Sequence, residues 1–412
     1  MYLTDFAMES KIEIIQINIS GEDKPGMTSS LTDILARYDA FILDIGQANI
    51  HQSLTLGILF MTTSDKSGAI LKELLFKASE LGVMIRFTPI TEEHYQAWVG
   101  RQGKNRYIIT LLGRQVTARH IAGVTKAVAE QGLNIDAIKR LTGRMPLEEE
   151  NRATRACIEL SVRGTLGDKA VLQKRFMELS NEGVDISFQK DDIFRRSRRL
   201  ICFDMDSTLI ETEVIDELAI RAGVGDEVKA ITESAMRGEI DFTESFTRRV
   251  ALLKGLDESV MQEIAESLPI TEGVDRLMYV LKKYGYKIAI LSGGFTYFGQ
   301  YLQKKYGIDY VYANELEIVD GKLTGRYLGD VVDGKRKAEL LRLIAQVEKV
   351  DIAQTIAVGD GANDLPMLGI AGLGIAFHAK PKVVANAKQS INTIGLDGVL
   401  YFLGFKDSYL NM

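Results

Sequence analysis

The chain has 412 residues, 46% hydrophobic and 26% charged, with 6 prolines; this balance excludes disordered and fibrous classes, and the length asks for roughly two to four domains. Its formal net charge is -6, so it lacks the basic field that nucleic-acid binding draws on, and small molecules are the expected partners, with no nucleic acid. Cys157 and Cys202 lie far apart without CxxC spacing, which excludes a disulfide framework or structural zinc and makes both core residues.

The opening stretch "MYLTDFAMESKIEIIQINIS" has no basic segment leading into an unbroken apolar run, and no window approaches the roughly 18 apolar residues of a membrane span. The expectation is a cytoplasmic protein without a membrane partner. "KIEIIQINIS" alternates as a half-buried strand, and "GEDKPGMTSSLTDILARY" is a Gly/Pro turn followed by an amphipathic helix with Leu31, Ile34 and Leu35 on its apolar face. The strand "AFILDIGQANI" comes next. A second copy appears in "RYIITLLGRQVTARHIAGVTKAVAEQGLNIDAIKRL", where Gly113 and Asp136 stand as Gly21 and Asp44 do in the first, with the helix one residue off that register. Each copy reads strand, helix, strand, strand, helix, strand, the content of a small α+β sandwich. "EEHYQAWVGRQGKN" reads as a linker between the copies, and "TGRMPLEEENRA" as a charged excursion inside the second. The arginines of "KDDIFRRSRR" read as a solvated linker, since a short basic run in an acidic chain is a poor nucleic-acid patch.

This pairing resembles ACT domains, amino-acid-sensing modules attached to metabolic enzymes. The resemblance implies an effector loop at "GEDKPGMT", with Asp23, Pro25, Gly26 and Met27 as its candidate residues. Loop chemistry alone makes Pro25-Gly26 an ordinary turn. The second copy carries "GRQVTA" and lacks the Pro-Gly pair, a departure that suits a structural partner. The same resemblance implies a homodimer or higher homo-oligomer, with serine as a candidate effector.

From Arg199 onward strands alternate with helices: "LICFD", a helical stretch, "KIAILSG", a helix, "TIAVGD" and a helix. That order predicts a parallel sheet covered on both faces. "NELEIVDGKLTGRYL" predicts a hairpin around Asp320-Gly321, and residues 212–270, too long for a simple crossover, an inserted helical cap. Ligands of such sheets bind at the carboxyl ends of the strands, and three strands end in "FDMDST", "LSGGF" and "VGDGAND". If those strands are neighbours, Asp204, Asp206, Asp360, Asp364, Asn363, Ser292 and the backbone N–H groups at Gly293 share one crevice. So much carboxylate needs a counter-ion, and hard oxygen ligands suit Mg2+ working beside a phosphate. An aspartate nucleophile then gives an acyl phosphate that water reopens, and a carboxyl two residues on handles the proton. Asp204 and Asp206 fit those roles. Each piece alone has a plainer reading as a turn or helix cap; only the three together, each after an apolar strand, point to phosphoryl chemistry. The four histidines have no ligand spacing.

The combination resembles the haloacid-dehalogenase superfamily, whose first motif is met by Asp204 to Thr208, second by Ser292, and third by a lysine plus "GDGAND". It is most similar to the branch that hydrolyses phosphoserine. That resemblance implies Glu213, Met236, Phe242 and Arg249 as substrate residues, Lys337 as the third-motif lysine with Lys335 as the other register, and Mg2+ held by the Asp204 and Asp360 side chains and the Asp206 backbone carbonyl. Asp364 is a supporting residue. A glutamate for the amino group and an arginine fork for the carboxylate agree with this. The expected fold is a Rossmann-like α/β phosphatase core with a helical cap, preceded by two α+β ferredoxin-like ACT domains. The expected domains are 1–95, 104–190 and 191–412, with the cap at about 212–270. The expected reaction is Mg2+-dependent hydrolysis of O-phospho-L-serine, the last step of serine formation. Two other readings stand beside it: a related phosphatase or phosphotransferase with another small acceptor such as homoserine, and an amino-acid sensor whose phosphatase domain is idle.

Overall fold

Ile15, Ile17 and Ile19 are buried while the residues between them are less so, the period-2 pattern of a strand with one covered face. They belong to β1 (Ile12–Glu22), the first element of a computed structural model that describes residues 11–100, 105–144 and 155–410. At Gly26, φ is 83°, a left-handed turn that glycine takes without steric cost, and α1 (Met27–Arg37) starts there and buries Met27, Leu31, Ile34 and Leu35. After α1 come β2 (Phe41–Ile50), β3 (Ser53–Thr63), α2 (Ser64–Leu81) and β4 (Met84–Ile90). The antiparallel sheet has the order β2-β3-β1-β4, and α1 and α2 enclose one core with its inward residues. The stretch read as a linker instead forms α3 (Glu92–Val99), capped by Thr91 accepting from the His94 N–H. Thr91 with Glu92 and Glu93 in the first turn is a helix-start signal that the polar composition of the segment masked.

Contacts divide the chain into two units, Met1–Lys104 and Asn105–Met412. The second opens with β5 (Arg106–Gly113), α4 (Ala118–Glu130), β6 (Asn134–Arg140), β7 (Ala156–Arg163), α5 (Lys169–Ser180) and β8 (Asp185–Lys190). Its sheet, β6-β7-β5-β8, repeats the order of the first, so the weak sequence repeat is a structural one. Most of the charged excursion, residues 145–153, lies outside the described residues. The short α6 (Ile193–Arg196) corrects the solvated-linker reading of the arginines: Arg195 and Arg198 are buried. Arg195 pairs with Glu159 at 2.9 Å, and burial, then the nearby Arg195 charge, lower the Arg198 guanidinium to about 10. Sequence charge counts could not reveal this, because Glu159 comes from the preceding sheet.

The rest of the unit runs β9 (Leu200–Phe203), α7 (Val214–Ala222), α8 (Gly225–Met236), α9 (Phe242–Leu252), α10 (Ser259–Glu266), α11 (Val274–Lys283), β10 (Lys287–Phe295), α12 (Thr296–Tyr306), β11 (Tyr310–Val319), β12 (Lys322–Leu328), α13 (Gly334–Val347), β13 (Thr355–Gly359), α14 (Leu365–Ile370), β14 (Leu373–Phe377), α15 (Pro381–Asn386), β15 (Gln389–Ile391) and α16 (Val399–Phe402). These strands form a sheet of order β12-β11-β10-β9-β13-β14-β15, parallel except for the β11/β12 hairpin. Every residue of β9 is buried, as expected of a central parallel strand covered on both faces. Asp320 and Gly321 turn the hairpin with φ of 50° and 75°, the paired positive angles of a tight hairpin turn. α7 to α10 are the helical insertion after β9. The second small sheet is fastened to this core: Asp185 accepts from the Asn392 and Thr393 N–H groups at 2.9 and 3.0 Å, and Gln389 both donates to and accepts from the Phe188 backbone. No helix among the described residues is long and apolar enough to cross a membrane.

Candidate active site

β9 pairs with β10 on one side and β13 on the other, and the chain crosses over in opposite directions from it. That is the switch point at which open α/β sheets leave a crevice for ligands. The three motif-bearing strand ends are therefore neighbours, a condition the sequence could state but not test.

Asp204 follows β9, its N–H donating to Val358 of β13 at 2.9 Å. Its Oδ1 accepts from the Met205 N–H at 2.8 Å and from Lys337 Nζ at 2.8 Å. Its other oxygen accepts nothing among the described residues and has lone pairs to spare. Lys337, on α13, is fully buried and also reaches Asp364 at 2.7 Å. Burial alone would pull its ammonium down, but Asp204 and Asp364 outweigh that and hold it protonated. Lys335 is 85% exposed and lies 4.0 Å from Glu339; Lys337 is the lysine at the cleft.

Asp206 is buried and its Oδ1 accepts from the Val214 N–H at 3.3 Å, at the start of α7. Desolvation, then the negative fields of Glu213 and Asp204, push its carboxyl well above the usual range, the direction that suits a proton donor. Ser207 takes φ of 55°, uncommon for a side chain, and its hydroxyl donates to Glu213 at 2.8 Å. Glu213 keeps contact with solvent at the cleft mouth; desolvation raises its carboxyl, the Ser207 hydroxyl opposes this, Asp204 and Asp216 add to it, and Arg249 opposes it. Arg249, near the end of α9, makes a hydrogen bond to the Ser245 carbonyl at 3.4 Å and feels the fields of Glu213, Asp216 and Asp206. No direct ion pair joins Arg249 to Glu213 among the described residues, so both remain available to a ligand. Phe242, at the other end of α9, approaches Gly293 so closely that a Cβ there would lie 3.1 Å from its ring. Met236 closes α8; its side chain lies outside what is described.

Ser292 is fully buried on β10 and accepts from the Gly294 N–H at 2.9 Å. A Cβ on Gly294 would collide with Asp206 Oδ2, so the glycine lets two motifs close on each other. Asp360 accepts from the Thr208 hydroxyl at 3.3 Å, and Asn363 folds against Gly361. Asp204, Asp360 and Asp364 each place one carboxylate oxygen within 4.8 Å of the others, an all-oxygen set suited to a hard divalent cation. Desolvation, then Asp204, Asp364 and Glu213, push Asp360 up to about 8. Asp364 is raised by burial and by Asp204, but its oxygens already accept from Lys337 and the Gly361 N–H. Asp204 and Asp360 each keep one carboxylate oxygen that accepts no hydrogen bond among the described residues, whereas both oxygens of Asp364 are engaged. The Asp206 side chain is not part of this oxygen cluster. The ACT-like loop belongs to the first unit: Pro25 and Gly26 are exposed, Asp23 accepts from Asn49, and Met27 is packed into the core.

Sequence reasoning missed Asn314. It is buried on β11, donates to the Gly293 and Gly294 carbonyls at 2.8 and 3.3 Å, and accepts from the Val332 N–H at 2.9 Å. A lone polar residue in the pattern of a strand was its only signal. Asn314→Leu is expected to cost roughly 1–3 kcal/mol of stability through the orphaned backbone groups and to weaken inhibition by inorganic phosphate. A lowered thermal midpoint with unchanged phosphate inhibition would make Asn314 a structural residue only.

An ACT-domain model matches residues 13–88, a second matches 106–189, and a model of haloacid dehalogenase-like hydrolases matches 201–369. With the parallel sheet and the acidic crevice at its carboxyl edge, these define the class: a haloacid dehalogenase-like hydrolase preceded by two ACT domains. The phosphoserine phosphatase of Streptomyces coelicolor is 38% identical over 96% of this chain and 93% of its own length. That of Mycobacterium tuberculosis is 39% identical over 96% and 94%. A crystal structure of a probable phosphoserine phosphatase from Vibrio cholerae is similar with a TM-score of 0.57 at 37% identity, over 72% of this chain and 86% of that one. The chain belongs to the phosphoserine phosphatase family.

Proposed function

We propose that this protein hydrolyses O-phospho-L-serine to L-serine and phosphate through a phosphoryl group carried on Asp204. The observation that carries the reading is geometric: the Asp204 carboxylate is anchored by Lys337 at 2.8 Å, and the buried Asp206 carboxyl, which desolvation pushes upward, meets the Ser292 hydroxyl across Gly294. The Asp204 carboxylate attacks phosphorus, the bond from phosphorus to the serine oxygen breaks, and the Asp206 proton goes to that oxygen. Asp206, now a carboxylate, takes a proton from water as the water oxygen attacks the phosphorus of the acyl phosphate; phosphate leaves and Asp204 is restored. Ser292, Lys337, Asn363 and the backbone at Gly293 hold the phosphate oxygens. Glu213 receives the ammonium of serine, Arg249 its carboxylate, and Phe242 with Met236 on the helical insertion closes over the amino acid and limits water. Among hard cations Mg2+ suits the site: Asp204 and Asp360, with the Asp206 backbone carbonyl, would hold it, and it would supply screening of the repulsion between the Asp204 carboxylate and a phosphate dianion.

The test is phosphate release from O-phospho-L-serine, O-phosphothreonine and ethyl phosphate. Phosphoserine is expected to be strongly preferred, and Arg249→Lys, which loses the fork, to raise its KM about tenfold while leaving ethyl phosphate unchanged. Equal turnover of all three would remove the substrate assignment and keep the chemistry.

The cation reading has its own check. Because the folded-state value of Asp360 is raised to about 8, the metal-free fold holds a proton that the unfolded chain has lost, so its stability falls as pH rises from about 4 towards 8. Mg2+ is expected to raise the thermal midpoint more at pH 8 than at pH 5; an equal or absent effect at both would overturn it. We further propose a cytoplasmic homodimer or higher homo-oligomer, with serine acting at the Asp23 to Met27 loop of the first ACT domain. A serine titration that changes neither activity nor thermal midpoint would remove the effector.

A further inference from the structure

The face of the β2-β3-β1-β4 sheet opposite α1 and α2 carries a notch. Gly46 and Gly57 stand opposite each other on β2 and β3, and their missing side chains leave an open floor. Gln16 and Asp44 border it, and α3 adds Tyr95 and Trp98, so that together they line a cavity of about 400 Å3. That volume lies within the range of small-molecule sites and is too small for a folded partner.

The chemistry of the lining is selective. Asp44 accepts from the Ile45 N–H at 2.9 Å and makes no ion pair among the described residues, and the lining has no lysine or arginine. Tyr95 and Trp98 are tilted at 37° with centroids 6.0 Å apart, so the two rings are not stacked face to face, and both line the cavity. A carboxylate beside two aromatic side chains, with His94 as the one basic residue of the lining and no lysine or arginine, attracts an organic ammonium group by Coulombic and cation–π forces together. We propose that this cavity binds a small organic ammonium ion, a single positive charge on an apolar body of about the size of a phenyl ring. The site is separate from the Asp23 to Met27 loop, whose Met27 packs into the core on the opposite face, and does not depend on the phosphatase reading.

Trp98 is the only tryptophan of the chain, so its emission reports on this cavity directly. The full-length protein is titrated with 2-phenylethylamine, with 2-phenylethanol as the neutral match and phenylacetate as the anion. A saturable change in Trp98 emission is expected with the amine, about tenfold or more weaker with the other two and in Asp44→Asn. Gly57→Val is expected to abolish it: an added Cβ meets nothing nearer than Asn18 Oδ1 at 3.6 Å, so the side chain fills the floor without collision, and phosphatase turnover and thermal midpoint stay unchanged. No saturable change, equal binding of all three probes, or amine binding that survives both substitutions overturns the proposal. So does a fall in oligomer size in Gly57→Val by sedimentation velocity, which would make this face a contact between copies of the chain.

Discussion

Asp204→Asn is expected to lower phosphate release from O-phospho-L-serine by at least about a thousandfold, the largest effect of any single substitution in the cleft. An amide cannot form the acyl phosphate, and nucleophile removal takes away the step on which the rest of the machinery acts. The change is nearly isosteric. The amide oxygen of the substituted side chain can still accept from the Met205 N–H and from Lys337, which donate to Asp204 at 2.8 Å each. The fold and substrate binding should therefore survive, and trapping by rapid acid quench after mixing with phosphoserine should show labelled protein for the native chain and none for the variant. A variant with more than a tenth of native turnover would rule out Asp204 as the nucleophile. Loss of turnover with phosphoserine binding intact would also separate catalysis from amino-acid sensing by the same chain.

The second large effect is on stability. Lys337 is fully buried with Asp204 at 2.8 Å and Asp364 at 2.7 Å, and Lys337→Met leaves those carboxylates without their cation. Removing one partner of a buried pair costs roughly 3–5 kcal/mol because the remaining charge is neither solvated nor matched. The cost depends on pH with a definite sign. Without the ammonium the Asp364 carboxyl, already raised by burial and by Asp204, rises further in the folded state, so the variant binds a proton that the unfolded chain does not, and its deficit grows as pH rises above the ordinary carboxylate range. Chemical denaturation at pH 5 and pH 8, without metal, should show the larger loss at pH 8. Lys335→Met is the control: its side chain is 85% exposed, and a change within about 0.5 kcal/mol is expected. If the two substitutions had equal effects, the buried-cation account of Lys337 would fail.

Much of this molecule was legible because short-range patterns and long-range roles coincide. The alternation in "KIEIIQINIS" and the apolar run "LICF" point to strands with one and two covered faces, and the structure has both. Asp320-Gly321 named a hairpin turn because few dihedral choices fit a two-residue connection. The helix at Glu92–Val99 is not legible in the same way, since its cap is local but the sheet residues it faces across the cavity come from distant strands.

By itself the sequence determined the chemical groups of the site: carboxylates, a hydroxyl and glycines at the ends of three apolar strands, which converge only if those strands are neighbours in a parallel sheet. It could not decide what each carboxylate does. That the Asp206 carboxyl is pushed upward while Asp364 serves Lys337 follows from desolvation and from partners that the fold brings together. Nor could it distinguish Lys337 from Lys335, since two residues on a helix differ by more than half a turn and only packing against the sheet selects the one that faces inward. Asn314, the buried Arg195 and Arg198, and the glycine-floored cavity under Tyr95 and Trp98 belong to the same category: their meaning lies in partners from other strands and helices, and burial, charge and shape at those positions exist only once the chain has folded.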